Sequence, residues 1–393
     1  MIIKNGSVFL EGRIVTCDLQ FEEEITEIGK LDADGLDVQG LYVFPGFIDI
    51  HTHGGYGSDF MDAKEEAYEN VLAFHAEHGT TSVVATSVTA TPEQIESMIS
   101  FTRQYMKREL SVGARVIGVH VEGPYLSVKN KGAQHESFLR IPARDSYDFI
   151  LKNADVIKTV TLSPELNGAE KMIRDLIQEG IIVCGGHDDG YYEKALSAIE
   201  AGMTHCTHLW CAMSTVHMRN GVRSAGLCEA GLLSDQLTVE VIADNYHISP
   251  EMIQLIHKCK GDKMCIVSDS LRAGGMPEGD QLYTLGMLDD PNAQKFIVSD
   301  GVAKLPDKSR FAGSIQSLSQ MLRNVVLDAK IPLEEAVKMV TSTPADIIHE
   351  EKIGRIRCGN KADFCIMNQN LEVIMTIING KVVYNKESER CLK

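Results

Sequence analysis

Residues 43–50 read VFPGFIDI and are followed directly by His51, Thr52 and His53. Residues 115–121 read RVIGVHV and are followed by Glu122. Short apolar runs of this kind are typical of strands that are buried on both faces of a parallel sheet. Six further runs lie at residues 81–86, 157–162, 181–186, 203–209, 238–244 and 263–269. The sequence therefore predicts eight buried strands.

The stretches between these runs carry amphipathic helical patterns, such as YENVLAFHAEHG and PEQIESMISFTRQYM. Eight strands that alternate with helices over about 250 residues predict an α/β fold, a (β/α)8 TIM-like barrel. A doubly wound open sheet stays an alternative, although no Gly-x-Gly-x-x-Gly motif follows an early strand.

The two ends of the chain have a different pattern from the middle. Residues 1–43 and 352–393 both show short apolar segments separated by Gly-containing turns, which is typical of strands and hairpins. We expect the two ends to form one small β domain together, while residues 44–351 form the barrel.

Composition narrows the class of partner and the compartment. The chain has 393 residues and a formal net charge of −17, which opposes nucleic acid or an anionic membrane as the main partner. A small anionic substrate would need local cationic groups. Ten cysteines form no CxxC pair, which favours free thiols in a reducing cytoplasm. No signal peptide and no apolar run of about 18 residues is evident, so we expect a cytoplasmic protein without a membrane span.

Polar side chains gather where the predicted strands end. In a barrel these ends meet on one face, and that face carries the active site. The residues are His51, His53, His120, Glu122, His187, Asp188, His208, Asp244, His247 and Asp269.

Several of these residues are of the types that bind Zn²⁺ or Fe²⁺. His51 and His53 alternate along a strand and can hold one ion together. Glu122, His187 and His208 can form a second set of three ligands, which leaves a position for water. A bound ion lowers the pKa of such a water from about 15.7 to about 7. Asp269 could bind the ion or transfer protons.

Seven stretches together carry a resemblance to a known family. They are PGFIDIHTHGGYG, GVHVEGPYLSVKNKGAQH, THLWCAM, IADNYHIS, IVSDSLRAGGMPEG, FAGS and GNKADFCIM. In this order they resemble the amidohydrolase superfamily and, within it, the N-acetylglucosamine-6-phosphate deacetylases. The resemblance runs nearly from end to end. It implies a barrel, a small β-sandwich domain built from both termini, and a homodimer.

The resemblance also implies roles for the residues at the strand ends. Glu122, His187 and His208 would bind the principal metal, and His51 and His53 would hold a second ion. Asp269 would be the catalytic acid and base. His247 would contact the substrate and polarise its acetyl carbonyl.

Sugar- or phosphate-binding positions follow from the same resemblance, and two departures fall among them. The matching residues are Ala133, Gln134, Cys211, Ala212, Arg219, Asp244, His247, Phe311, Ala312 and Gly313. Cys211 stands where the family has Asn, so a weakly bonding thiol replaces an amide. Asn220 and Gly221 follow Arg219 where the family has Glu-Pro-Gly. Both departures leave the hydrolytic residues intact and concern the recognition of the sugar and the phosphate.

The expected reaction is metal-dependent hydrolysis of N-acetylglucosamine 6-phosphate to glucosamine 6-phosphate and acetate. One or two divalent ions would take part, Zn²⁺ or Fe²⁺ in the first place and Mn²⁺ or Co²⁺ as further candidates. The partners would be a small phosphorylated amino sugar and a second copy of the chain, with neither nucleic acid nor membrane.

Three alternatives stay open. The first is deacetylation of the galactosamine epimer, and the second is another amide hydrolysis or deamination of the superfamily. The third, more remote, is a non-enzymatic scaffold. Complete ligand positions argue against it.

Overall fold

Eight parallel strands in the middle of the chain form one continuous curved sheet, and they confirm the predicted barrel. The computed structural model describes residues 1–108 and 113–386. Neighbouring strands of the barrel follow chain order. They are Phe47–Thr52, Thr80–Ser87, Arg115–Glu122, Ile157–Leu162, Ile182–Gly185, His205–Cys206, Thr238–Val241 and Met264–Ile266. We number them as the first to the eighth barrel strand.

The first and last barrel strands meet at a seam at their carboxyl ends. The Asp269 N–H donates to the His51 carbonyl at 3.0 Å, and the His53 N–H donates to the Ser270 carbonyl at 2.9 Å. The Asp49 carboxylate accepts the Ser268 N–H at 3.2 Å. The backbone bonds that close the barrel therefore come from the residues that also carry the candidate site.

Helices cover the outside of the barrel. Their bounds are Glu65–Glu77, Pro92–Tyr105, Asp148–Leu151, Ala169–Gln178, Tyr192–Ala201, Leu227–Leu233, Pro250–Lys260, Leu318–Leu327, Leu333–Met339 and Ser342–Ile347. The second shows why they form. Thr91 and Gln94 cap its start through each other's backbone N–H, and Pro92 occupies its first turn. Ile95, Met98 and Ile99 then bury one face.

The two ends of the chain pair with each other in a separate sheet, which confirms the predicted small β domain. Its strands are Ile2–Leu10, Arg13–Phe21, Ile25–Gly29, Leu36–Asp37, Tyr42–Pro45, Phe364–Met367, Val373–Ile378 and Lys381–Asn385. Val43 is the centre of the junction, because it pairs with Val8 on one side and with Ile366 on the other. Ile3, Phe21 and Phe364 pack in the core of this sheet.

The expected domain limits stay a prediction, and the apolar run at their first boundary contributes to two sheets. The run at 43–50 is divided, since Tyr42–Pro45 belongs to the sheet of the two ends and Phe47–Thr52 to the barrel. Residues 387–393 of the predicted terminal segment lie outside the described residues.

Short strands beyond the barrel lie near its carboxyl face. Four of them, Gly279–Thr284, Lys295–Ser299, Val302–Lys304 and Phe311–Gly313, form an antiparallel sheet. Two hairpins pair Gly54–Gly55 with Ser58–Asp59, and His217–Arg219 with Val222–Ser224. The expected free thiols are found at the nine described cysteines. Cys391 lies outside the described part. Within the described ranges, no helix is both long and apolar enough to cross a membrane.

Candidate active site and metal centre

Two groups of possible metal ligands share one carboxylate at the carboxyl end of the barrel. His51, His53 and Glu122 form the first group, and Glu122, His187 and His208 form the second. The ligand atoms of each group lie within 4.8 Å of one another, and all five residues are buried. Both ligand sets proposed from the strand pattern are therefore brought together by the fold.

The Glu122 carboxylate lies close to four histidine nitrogens. Its Oε1 atom lies 3.1 Å from His187 Nε2, 3.3 Å from His208 Nε2 and 3.5 Å from His51 Nε2. Its Oε2 atom lies 3.6 Å from His53 Nε2 and accepts the Gln134 amide N–H at 2.7 Å. Gln134 thus orients the carboxylate that both groups use.

Three residues of the site have a backbone conformation in the left-handed region. The φ angles are +50° at His187, +26° at His208 and +44° at Asp269. Residues with a Cβ atom rarely adopt this conformation, and such strain gathers at functional sites. At these three positions the chain turns abruptly out of a strand, which aims the side chain over the barrel axis.

The hydrogen bonds of the histidines show that a cation fits between the ligands. His187 Nδ1 lies 2.9 Å from the Asn130 carbonyl, and His51 Nδ1 lies 2.6 Å from Glu240 Oε1. Since a carbonyl or carboxylate oxygen can only accept, both Nδ1 atoms carry the proton. While a ring is neutral, its Nε2 lone pair therefore points at the oxygens of Glu122, and either a second proton or a bound cation supplies positive charge there. Lone pairs on both sides of a short gap repel each other unless positive charge lies between them.

The buried charges lead to the same conclusion. Burial opposes a charge on His51, but the carboxylates of Glu240 and Glu122 outweigh it and raise the pKa of His51 to about 10. Burial likewise opposes the ionised form of Glu122, but the nearby His51 charge and the His187 and His208 contacts hold the pKa of Glu122 well below its usual range. The cluster is therefore a strong acceptor of positive charge, which a divalent ion supplies as well as protons do.

Asp269 lies beside the first ligand group. Its Oδ1 atom is 3.1 Å from His53 Nε2 and 3.6 Å from His51 Nε2. Burial would raise the pKa of Asp269, but the hydrogen bond from His53 and the charge of His51 lower it below its ordinary value. An ionised carboxylate at this position can either bind an ion or accept a proton from water.

A cavity of about 380 Å³ opens above these residues. Its volume lies within the range of sites that bind small molecules. Of the residues predicted to bind the substrate, the following line it: Ala133, Gln134, Cys211, Ala212, His247, Phe311, Ala312 and Gly313. His53, Glu122, His187, His208 and Asp269 form its floor and walls.

Two predicted substrate residues do not line this cavity. Asp244 instead supports His247, since its Oδ2 atom lies 2.8 Å from His247 Nδ1. Arg219 is partly exposed, donates to Glu193 at 3.1 Å and stacks over the Tyr191 ring at 4.4 Å.

Two strand-end residues have other partners. His120 Nε2 lies 2.7 Å from the Thr161 hydroxyl, and Asp188 accepts the hydroxyl and the N–H of Ser214. Both shape the barrel wall and its loops without belonging to either ligand group.

Sequence reasoning missed three charged residues near the site. Lys129 and Arg310 line the cavity and supply the basic lysine and arginine side chains of its wall. Glu240 is buried behind His51. The signal for Glu240 was present in the sequence, because a carboxylate interrupts the apolar run TVEVIA. Lys129 and Arg310 lie in loops, whose paths no periodicity predicts.

Comparison with known proteins assigns the chain to a family. The amidohydrolase family matches residues 42–383. The chain belongs to the amidohydrolase family. It is 31% identical over 387 residues to N-acetylglucosamine-6-phosphate deacetylase of Vibrio furnissii, covering 98% of this chain and 94% of the relative. It is 32% identical over 397 residues to the enzyme of the same name from Bacillus subtilis, covering 99% and 96%.

Solved structures agree with the fold of this amidohydrolase. A mutant N-acetyl-D-glucosamine-6-phosphate deacetylase from Mycobacterium smegmatis, in complex with N-acetyl-D-glucosamine-6-phosphate, superposes with a TM-score of 0.90 at 27% identity. It covers 98% of this chain and 99% of that one. The deacetylase from Pasteurella multocida gives a TM-score of 0.89 at 29% identity, covering 98% and 99%.

We predict that substitutions separate the two ligand groups of this amidohydrolase. Glu122→Gln removes the carboxylate that both groups share, so both ions should bind much more weakly. His53→Ala should weaken only the ion of the first group. Metal content after dialysis against limiting Zn²⁺ measures both effects. Added Zn²⁺ should also raise the melting temperature of chelator-treated wild-type protein, because the ion binds the folded state. Wild-type metal content in the Glu122→Gln variant would contradict the shared ligand.

Proposed function

We propose that the protein hydrolyses the acetamide of N-acetylglucosamine 6-phosphate to glucosamine 6-phosphate and acetate. One observation carries the proposal: two ligand groups share Glu122, and all of their members except His51 line a single cavity together with Asp269 and His247. The full-length similarity to deacetylases of this name supports it.

The residues present fit one or two divalent ions, with Zn²⁺ or Fe²⁺ as the first candidates and Mn²⁺ or Co²⁺ as further ones. Imidazole and carboxylate ligands accept all four ions. Glu122, His187 and His208 would hold one ion, and His51, His53 and Glu122 the other. When bound, such an ion activates water and polarises the carbonyl of the substrate.

Asp269 is placed to move the proton in this reaction. As an ionised carboxylate, it accepts a proton from the water that attacks the acetyl carbon. It then gives this proton to the amide nitrogen as the carbon–nitrogen bond breaks, so that the amine leaves in neutral form. Acetate and the amino sugar phosphate are the products, and Asp269 returns to its ionised state.

His247 is placed to stabilise the oxygen of the reacting carbonyl. The Asp244 carboxylate accepts from His247 Nδ1 and fixes the orientation of the ring. When Nε2 carries a proton, it can donate to the oxygen that gains negative charge. A donor held in position before the reaction contributes most at this step.

Arg310 is our candidate for the anionic end of the substrate. Lys129 also lines the cavity, but its ammonium is largely exposed and pairs with Asp189 at 2.7 Å. Among the described residues, Arg310 has no carboxylate within ion-pair distance; its guanidinium donates only to the Lys129 carbonyl, at 3.5 Å. A guanidinium can bind a phosphate through two parallel hydrogen bonds. Arg219, expected for this role from the resemblance, is held by Glu193 outside the cavity.

A homodimer is part of the proposal and rests on the family resemblance. A cytoplasmic location is also part of it and is supported by the free cysteines.

The second candidate reaction is deacetylation of the galactosamine epimer. Cys211 favours it, because this thiol lines the cavity where the family has an amide. Loss of that amide changes the hydrogen bonds that distinguish one sugar hydroxyl from another.

We predict metal-dependent release of acetate from N-acetylglucosamine 6-phosphate. Purified protein should be assayed as isolated, after chelation and after addition of Zn²⁺ or Fe²⁺. The galactosamine epimer and both unphosphorylated sugars are the controls. The highest kcat/KM should belong to the phosphorylated glucosamine derivative. A higher kcat/KM for the epimer would assign the galactosamine derivative as the substrate instead. No acetate release under any metal condition would refute the proposed reaction.

Asp269→Asn should lower kcat by about 10²–10⁴-fold, because an amide cannot carry the proton from water to the leaving amine. The loss should persist when metal content is restored to the wild-type value, which separates proton transfer from metal binding. Steady-state kinetics at full metal loading measures it. A kcat close to that of the wild type would exclude the proton-transfer role.

Arg310→Ala should raise KM for the phosphorylated sugar by about 10–100-fold with a small change in kcat, since a charge-assisted hydrogen bond contributes about 1.5–3 kcal/mol. Arg219→Ala is the matched control and should change KM little, because Glu193 holds this guanidinium outside the cavity. If Arg219→Ala raises KM and Arg310→Ala does not, the phosphate contact belongs to Arg219, as the resemblance implies.

A further inference from the structure

Glu240 lies on the seventh barrel strand, Thr238–Val241, and is buried. The proposed reaction does not use it. Its Oε1 atom lies 2.6 Å from His51 Nδ1 and accepts the backbone N–H of His208 at 3.1 Å. Its Oε2 atom lies 3.1 Å from His205 Nε2. Both carboxylate oxygens are therefore bound within the barrel.

This carboxylate decides which nitrogen of His51 can bind an ion. Because Glu240 accepts from Nδ1, the proton stays there, and the Nε2 lone pair points at Glu122 and Asp269. A carboxylate behind a ligating histidine fixes the orientation of the ring and makes the ligating nitrogen more basic. Without it, His51 could place its proton on Nε2 and lose its function as a ligand.

Glu240 Oε1 also joins the two ligand groups. One of its contacts goes to the side chain of His51, in the first group. The other goes to the backbone of His208, in the second group, where φ is +26°. A single oxygen atom thus holds a ring on one side and a strained backbone on the other.

His205 holds Glu240 in this position. Its ring spans the gap between Glu240 Oε2 and the Thr238 hydroxyl, which lies 2.7 Å from His205 Nδ1. It lies three residues before His208 and takes no part in either ligand group. Its contacts explain why a fully buried histidine stands next to a metal centre without binding the metal.

We propose that Glu240, held by His205, is a positioning residue that makes the first ligand group able to hold an ion. The inference rests on the metal dependence of the proposed function, but it concerns binding and not the identity of the substrate.

The test compares metal binding by Glu240→Leu, Glu240→Gln and wild-type protein. Titration with Co²⁺, followed by visible absorption, resolves the first and second ion spectroscopically, and competition with a chelator gives the Zn²⁺ affinities. Glu240→Leu should lower the affinity for the ion held by the first ligand group by about 10–100-fold. Glu240→Gln keeps an amide oxygen that can accept from His51, so it should retain most of the affinity.

Two more variants keep the proposal testable if Glu240→Leu does not fold. His205→Leu leaves Glu240 in place but frees one of its oxygens, so it should weaken the same ion to a smaller extent. Asp363→Asn is the matched control, because it removes a buried carboxylate far from both ligand groups in the chain, which pairs with Arg115 at 3.0 Å where the third barrel strand begins. It should bind both ions as the wild type does.

Wild-type affinity for both ions in Glu240→Leu, or in His205→Leu, would overturn the proposal. A wild-type protein that binds only one ion at saturating Co²⁺ would overturn it too, and acetate release by that protein would leave the proposed function standing. The metal titrations need no substrate, so they can be interpreted even if the acetate assay fails. Failure of the Glu240 proposal is therefore distinguishable from failure of the proposed function.

Discussion

The carboxylate of Glu122 is the constraint on which the site depends. It is buried with two further carboxylates, Asp269 and Glu240, among histidines whose protons are held elsewhere. Negative charge and lone pairs at such distances are stable in a protein interior only when positive charge joins them. The barrel supplies rigid positions for these groups, and their combined negative charge favours the binding of a cation between them.

The eight barrel strands and the ligands at their ends could be predicted because each depends on a local pattern. A buried parallel strand is a short apolar run. His51, Glu122 and His187 follow such runs directly, and His208 lies near the end of the run at 203–209. The sixth strand is much shorter than its apolar run predicts. The run at 203–209 contains only the two-residue strand His205–Cys206, since the chain turns into a left-handed conformation at His208. No propensity foretells that turn, which tertiary contacts impose.

The walls of the cavity were less predictable than its floor. Arg219 stood in a recognisable motif, yet Tyr191 and Glu193, from another part of the chain, hold its guanidinium. Arg310 reaches the cavity because the strand Phe311–Gly313 pairs with a sheet outside the barrel. Such placements depend on pairing between distant loops. The same applies to Glu240, whose partners lie on the first and sixth barrel strands.

The pairing of Tyr42–Pro45 with Phe364–Met367 has a consequence for protein synthesis. The two strands are separated by nearly the whole length of the chain, so the first leaves the ribosome long before the second exists. Until then an apolar strand edge stays uncovered, and such edges readily pair with other chains. Early shielding of this edge, by a chaperone or by the growing barrel, therefore decides how much of the newly made protein avoids aggregation.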